Sequence, residues 1–240
     1  MMFQTKLLPA TLIKRYKRFL ADVELPNGSV VTAHCANPGS MMGLTDAGTR
    51  VWIEPNDDPK KKLKFAWRLS EYENATFVCV DTSLANRMVA QALADRAIPE
   101  LGAYVTVQPE VRYSDNSRID FLLTDANGAL TYVEVKSVTL SRQKELAEFP
   151  DSVTARGAKH LDDLAKMVAH RHRAVMLYVV QRTDCTRCTI AQDIDPNYAR
   201  ALDRARSIGV EILCYRAKLC ETVQKLDKSI IFSRPNSGHF

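Results

Sequence analysis

The stretch Ser117-Arg118-Ile119-Asp120-Phe121-Leu122-Leu123-Thr124 runs through Asp125-Ala126-Asn127-Gly128-Ala129 into Leu130-Thr131-Tyr132-Val133-Glu134-Val135-Lys136-Ser137-Val138, and it decides the fold. Both flanks have the β-branched and aromatic character of strands, and the middle carries turn residues. Glu134 and Lys136 are two apart, so in a strand they share one face at roughly 6.6–6.8 Å. The position of Asp120 depends on the turn. A two-residue Asn127-Gly128 turn pairs Ala126 with Ala129 and sends Asp120 and Glu134 to opposite faces. A three-residue loop, Ala126-Asn127-Gly128, pairs Asp125 with Ala129, with Asp125 opening a type I turn and Gly128 left-handed. Asp120 then stands opposite Glu134, and Ile119, Phe121, Val133 and Val135 share a wholly apolar face. The two-residue register mixes these groups, so the pattern selects the three-residue loop.

Two carboxylates facing each other across a strand pair repel unless a cation lies between them. Hard oxygen ligands suit Mg²⁺ or Mn²⁺ better than zinc. A lysine beside the ion can orient an attacking water or stabilise charge developing on phosphorus. The alternative is an exposed strand face on which Lys136 neutralises either acid. Spacing alone leaves the two readings level.

Outward from this hairpin, Leu84, Met88, Val89, Ala92 and Leu93 recur at helical spacing up to about Ala97, and Ile98-Pro99 ends that helix. Strands are expected at Tyr104–Tyr113, Arg118–Thr124 and Leu130–Val138, then a helix over Thr154–Ala169. Ala174–Val180 reads as a strand buried on both sides. Asp195 as N-cap, Pro196 at the first position and Gly209 past the end delimit another helix before a last strand, Val210–Tyr215. The first eighty residues read as β structure. Ala21, Val23 and Leu25 alternate with Leu20, Asp22 and Glu24, Pro26-Asn27-Gly28 turns into Val30–His34, and short strands follow at Val51–Glu54 and Phe77–Val80. The resulting division is a small barrel over 1–82, a mixed α/β domain over 83–217 with order α-β-β-β-α-β-α-β, and a C-terminal extension over 218–240.

The longest apolar run, Ala174–Val180, is too short to cross a bilayer, and Met1–Leu12 lacks a secretory pattern, so a cytoplasmic location is expected. The six cysteines then read as thiols. Cys185-Thr186-Arg187-Cys188 has zinc-ligand spacing but lacks a second pair of ligands. The net charge of +5 is concentrated in clusters: Lys14, Arg15, Lys17 and Arg18 around Tyr16; Lys60, Lys61, Lys62 and Lys64; Arg156, Lys159 and His160; and His170 to Arg173. Such clusters suit a polyanion, although any one of them can simply be a solvated face.

Ser117–Phe121 followed by Val133–Val138 resembles the PD-(D/E)xK nuclease fold. The whole chain more closely resembles the sugar fermentation stimulation protein A family, through Arg15–Val23, His34–Met41 and Phe149–Leu161, with Val210–Leu213 extending the match. The resemblance implies an N-terminal OB-like barrel, a nuclease-like second domain and DNA binding without sequence preference. It also implies a link to regulating maltose metabolism, and with it transcription. Nucleases of the fold often place a glutamate on the first helix, where this chain has Gln91; a neutral amide there favours one ion over two. Asp120 and Glu134 would be ligands with the Val135 carbonyl, and Lys136 would attend the attacking water. Glu110, on the preceding strand, would supply an accessory carboxylate or else a strand-end salt bridge. Arg15, Tyr16, Lys17 and Arg18 on a barrel strand would contact the DNA backbone, as would Arg156, Lys159 and His160 on their helix. Three functions follow: a DNA-binding regulator that keeps the ion, an active Mg²⁺-dependent nuclease, and an RNA-directed module.

Overall fold

The computed structural model describes residues 2–114 and 117–233. The first strands are β1 (Leu8–Tyr16), β2 (Leu20–Glu24), β3 (Val30–Cys35), β4 (Arg50–Pro55), β5 (Phe65–Tyr72) and β6 (Thr76–Cys79). They form a sheet in the order β3-β2-β1-β4-β5-β6, and a parallel pairing of β3 with β5 closes five of them into an OB-like barrel. Alternation explains the closure. Ala21 and Val23 point inward with Leu12, Ala33, Val51 and Ile53, while Glu24 stays exposed. The sequence pattern did not reveal β5 or most of β1. In β5 the alternation is masked by Arg68, whose guanidinium is paired with the nearly buried Glu54 and Asp81.

The basic cluster around Tyr16 is not one continuous strand face. β1 ends at Tyr16, and Lys17 and Arg18 form the hairpin turn with φ of 46° and 64°.

The second unit begins with α1 (Ser83–Ala94), followed by β7 (Thr106–Ser114), β8 (Ser117–Thr124) and β9 (Leu130–Val138). β10 (Leu140–Gln143) and β11 (Leu146–Phe149) precede α2 (Ala155–Ala169) and β12 (Arg173–Val180). Then come β13 (Arg187–Ile190), α3 (Pro196–Ile208), β14 (Glu211–Leu219), β15 (Gln224–Ser229) and β16 (Ile231–Phe232). The main sheet has the order β15-β14-β12-β9-β8-β7, and β10, β11, β13 and β16 form a small second sheet. α1 packs on one face of the main sheet with Phe121, Val133, Val175, Leu177 and Val179, while α2 and α3 cover the other face with Met176 and Tyr178.

Central β12 is buried from Ala174 to Val180, as a strand flanked by parallel neighbours on both sides should be. Asp195 caps α3 by accepting from the Tyr198 N–H, Pro196 opens the helix and left-handed Gly209 closes it. α1 stops three residues sooner than its apolar spacing indicated. Arg96 takes φ 55° and the Ala97 N–H returns to the Ala92 carbonyl, a helix-ending loop. Within the expected C-terminal extension, β14 runs on to Leu219 and β15, Gln224–Ser229, pairs back on it in the main sheet. Residues 234–240 of that extension lie outside the described residues. Among the described residues, no helix is long and apolar enough to cross a membrane.

Cys35, Cys79, Cys185, Cys188 and Cys214 are buried free thiols, and Cys220 is half-buried. Burial pushes the Cys185 thiol up to about 11. At Cys220 the raising effect of burial is outweighed by a hydrogen bond with Thr222 and by backbone N–H groups, so its pKa is lowered. Iodoacetamide at neutral pH is therefore expected to modify Cys220 first in the native protein. Peptide mapping checks this; equal labelling of Cys185 would refute it.

Candidate functional site

The three-residue loop is present. The Asp125 N–H donates to the Ala129 carbonyl (3.0 Å), the Gly128 N–H to the Asp125 carbonyl (3.2 Å), and Gly128 has φ 83°. The β8–β9 ladder runs from Thr124–Leu130 to Phe121–Val133, a register that sets Asp120 against Glu134. There the backbone ladder gives way to a side chain, for Asp120 Oδ2 accepts the Val135 N–H at 2.7 Å.

On the other flank, β7 pairs Pro109 with Phe121 and Val111 with Ile119 but leaves Glu110 and Asp120 unpaired; Glu110 has φ 55°. This local twist overturns one expectation. Ile119 does not share a face with Phe121, Val133 and Val135; it packs with Leu122 on the α2 side, while those three lie on the α1 side. Such an irregularity re-aims a side chain. Asp120 meets α1, where Asn86 Nδ2 donates to its Oδ1 at 2.7 Å. Gln91 is not at the site: it is exposed and donates to Asp95 four residues on, at 3.0 Å. The α1 residue that reaches the carboxylate is Asn86. It lies in the first turn of α1, the end of the helix that lines the cleft with Thr82, and its helical spacing alone does not mark it.

Glu134 is only 2% exposed. Its Oε1 accepts from Lys136 Nζ at 2.6 Å and lies against His160 Nδ1. Lys136 Nζ is also 3.2 Å from His160 Nδ1. Glu134 Oε2 is buried and has no protein partner.

The three basic residues of α2 diverge. His160 is buried among the acidic groups, so it does not present a phosphate-binding face. Lys159 donates to Ser117 (2.5 Å) and Asp163 (2.6 Å), which commits its charge to an intramolecular pair. Arg156 is exposed and lines the cleft, with its Nε donating to His160 Nε2 at 3.3 Å. In the barrel, Arg15 donates to the carbonyls of Arg18, Asn37, Gly39 and Ser40, and Tyr16 bonds Asp22. Arg15 therefore braces a loop. Arg173, from the last basic cluster, pairs with Glu211.

The electrostatics divide the two acids. Burial, and then the charge of Glu134, pushes Asp120 up to about 6 against the opposing Val135 N–H, Lys136 and Asn86. Burial also raises Glu134, but the hydrogen bond from His160 and the charge of Lys136 outweigh it and hold its carboxyl below the usual range. One carboxylate is thus satisfied on a single oxygen, and its neighbour is disfavoured as an anion. Both features fit a cation that would meet Glu134 Oε2 and Asp120. Among the described residues, no three His, Cys, Asp or Glu side chains are grouped to hold a metal. A cation here would therefore draw further ligands from a backbone carbonyl, with Val135 in the cleft lining, and from water. The cleft has a volume of about 460 Å³ and is shared between Asp120, Glu134 and Lys136, the β7 bulge at Glu110, and the barrel loop at Asn37–Gly39.

Residues 83–222 match the family model described as the sugar fermentation stimulation protein RE domain, and residues 13–80 match the SfsA N-terminal OB domain. The sugar fermentation stimulation protein homolog of Ruegeria pomeroyi is 67% identical over 89% of this chain and 93% of its own length. The homolog of Rhodospirillum centenum is 50% identical over 97% and 100%. The structure of Pyrococcus furiosus SfsA in complex with Ca²⁺ superposes with a TM-score of 0.86 at 23% identity, covering 97% of this chain and 98% of that one, and so shares the fold. The chain belongs to the sugar fermentation stimulation protein family.

Proposed function

We propose that the protein binds DNA through its phosphate backbone, without strong sequence preference, and hydrolyses a phosphodiester bond at a single Mg²⁺ or Mn²⁺ site. The observation that carries this reading is Glu134: a buried carboxylate with one oxygen held by Lys136 and His160 and the other unpartnered, facing a second carboxylate whose pKa is raised. Asp120, Glu134 and the Val135 carbonyl would hold the ion, which would supply Lewis-acid polarisation of the phosphate and a lowered water pKa. The protein's own groups do the rest. Asn86 and the Val135 N–H fix the Asp120 carboxylate, and His160 fixes Glu134 and Lys136 relative to each other. Lys136 Nζ, two residues along the strand from the ligand, is placed to orient water or stabilise charge on the phosphoryl oxygens. Arg156 contributes a guanidinium for phosphate at the cleft. Ca²⁺ in the relative from Pyrococcus furiosus supports a divalent ion in this fold.

The accessory carboxylate is Glu110 rather than a residue of α1, since Gln91 is remote. The proposed organisation keeps the barrel, 1–82, as a DNA-contacting unit beside the nuclease-like unit from 83 onward, acting on cytoplasmic DNA. A role in sugar metabolism, to which the relatives' name points, would follow from binding DNA.

A second reading, a binding protein that retains the ion and does not cut, draws on the pairing of Lys136 with Glu134. The test is incubation of the purified protein with labelled DNA in Mg²⁺ or Mn²⁺. Cleavage is expected, with Glu134→Gln and Lys136→Ala each lowering the rate by about 10²–10³-fold or more. DNA that is retarded but uncut in either metal selects the second reading. Affinity that is indifferent to salt overturns the phosphate-backbone contact common to both.

A further inference from the structure

We infer that the cleft admits one unpaired nucleotide, from a single strand or a frayed end, and excludes the interior of an intact duplex; this rests on the reading that the cleft is where DNA binds. The argument comes from the barrel. Its loop Asn37–Met41 forms one wall of the cleft with Asn37, Pro38 and Gly39, and the loop is fixed from three directions. The Asn37 side chain is almost wholly buried, donates to the Val80 carbonyl at 3.0 Å and accepts the Gly39 N–H at 2.9 Å. Arg15 grips the same loop through the carbonyls of Asn37 (2.9 Å), Gly39 (3.1 Å) and Ser40 (3.3 Å). At the edge of the cleft the loop touches the second unit: the Ser40 hydroxyl donates to the Asp151 carbonyl at 2.6 Å and the Met41 N–H to Asp151 Oδ2 at 3.0 Å. A Cβ at Gly39 would overlap the Asp151 carboxylate, so the two segments are in direct apposition.

The space this leaves, about 460 Å³, is that of a pocket for one small ligand, commonly about 300–1,000 Å³. Glu134, on its floor, is 2% exposed, so a scissile phosphate must descend between the walls to reach it. A phosphate in mid-duplex is carried on a rod that stays straight over about 150 base pairs and brings its paired strand with it. An unpaired strand enters alone, whereas a duplex carries its second strand and stacked bases against the walls.

The test measures binding of the full chain in Ca²⁺ to a fluorescent 30-nucleotide single strand and to a relaxed, covalently closed circular duplex that contains the same sequence and has no ends or loops. The single strand is expected to bind at least about tenfold more tightly, a difference of about 1.4 kcal/mol. Opening the wall with Asp151→Ala is expected to narrow that ratio, and Ser40→Ala, which removes only one hydroxyl, provides the same readout should Asp151→Ala fail to fold. Equal or tighter binding of the closed duplex overturns the inference and leaves the DNA-binding reading intact. No binding of either DNA removes the reading on which it rests. An unchanged ratio in a folded variant overturns the role of the wall.

Discussion

Asp120→Asn is expected to raise the melting temperature of the metal-free protein while abolishing the further rise that Mn²⁺ gives the wild type. Asp120 titrates at about 6 in the fold, against an ordinary value of 3.8, chiefly because it is buried and then because it faces Glu134. A carboxyl with a raised folded-state pKa favours the native state when protonated. Its contribution is therefore complete below about pH 4 and is lost as pH rises through about 6. At pH 7.5 the ionised side chain is a net cost. A neutral amide removes that cost, and Asn86 can turn its own amide to keep one hydrogen bond. The gain should be about 1–2 kcal/mol, or roughly 3–6 °C for a chain of this size. With Mn²⁺ at about 100 times its dissociation constant, the wild type should gain about 2.7 kcal/mol, and the variant little. The same titration makes wild-type metal affinity fall as the pH drops below about 6, because the ion must displace a proton. Differential scanning calorimetry with and without Mn²⁺ measures all of this. A variant that melts lower than the wild type without metal would sink the argument.

The largest loss of stability is expected away from the site, from Arg68→Ala. Arg68 bridges Glu54, at 2.7 Å, and Asp81, and its side chain is 17% exposed against 5% and 1% for the two acids. Glu54 also accepts the Thr5 N–H, and Asp81 accepts from Ser83 at the start of α1. One guanidinium therefore ties the barrel to the first helix of the second unit. Truncating it strands two buried carboxylates, for which about 3–5 kcal/mol is typical. The melting temperature should fall by on the order of 10 °C. Arg68→Lys keeps the charge and should recover part of the loss. A decrease of less than a degree or two in thermal denaturation at neutral pH would show that water already satisfies both acids.

The sequence was most informative where pattern and turn chemistry agreed. Asp125 and Gly128 define a loop whose register also sorts Phe121, Val133 and Val135 onto one face, so the position of Asp120 against Glu134 could be deduced before any coordinates. The caps of α3 were legible for the same reason, since Asp195, Pro196 and Gly209 each satisfy a local backbone requirement. Non-local geometry was not legible. Ile119 changes face because β7 is irregular at Glu110, and nothing in the alternation of β8 records a neighbour's twist. Asn86 was overlooked in favour of Gln91 because a helix's sequence gives its angular spacing but not which end reaches the strand tips. His160 reads as a surface cation beside Arg156 and Lys159 until β9 brings Glu134 against it. The short strands β10, β11 and β13 carry too few residues for a period to show, and β15 hides in a polar tail because it is an edge strand.

Central β12 has a consequence for motion. It is hydrogen-bonded in parallel to β9 and β14 along nearly its whole length and is buried on both faces, so its amides should exchange with solvent only when the whole unit unfolds. β9 carries Glu134 and Lys136 and is the strand laced directly to it, Glu134 lying beside Met176 and Lys136 beside Tyr178. The opposite wall is braced inside the barrel by Asn37 and Arg15, but it meets the second unit through exposed Ser40 and the Met41 N–H on Asp151, which is partly buried and 111 positions from Ser40. Deuterium uptake should therefore divide the cleft into a slow floor and a fast roof. The acidic groups would keep their spacing through breathing motions that repeatedly open the entrance above them.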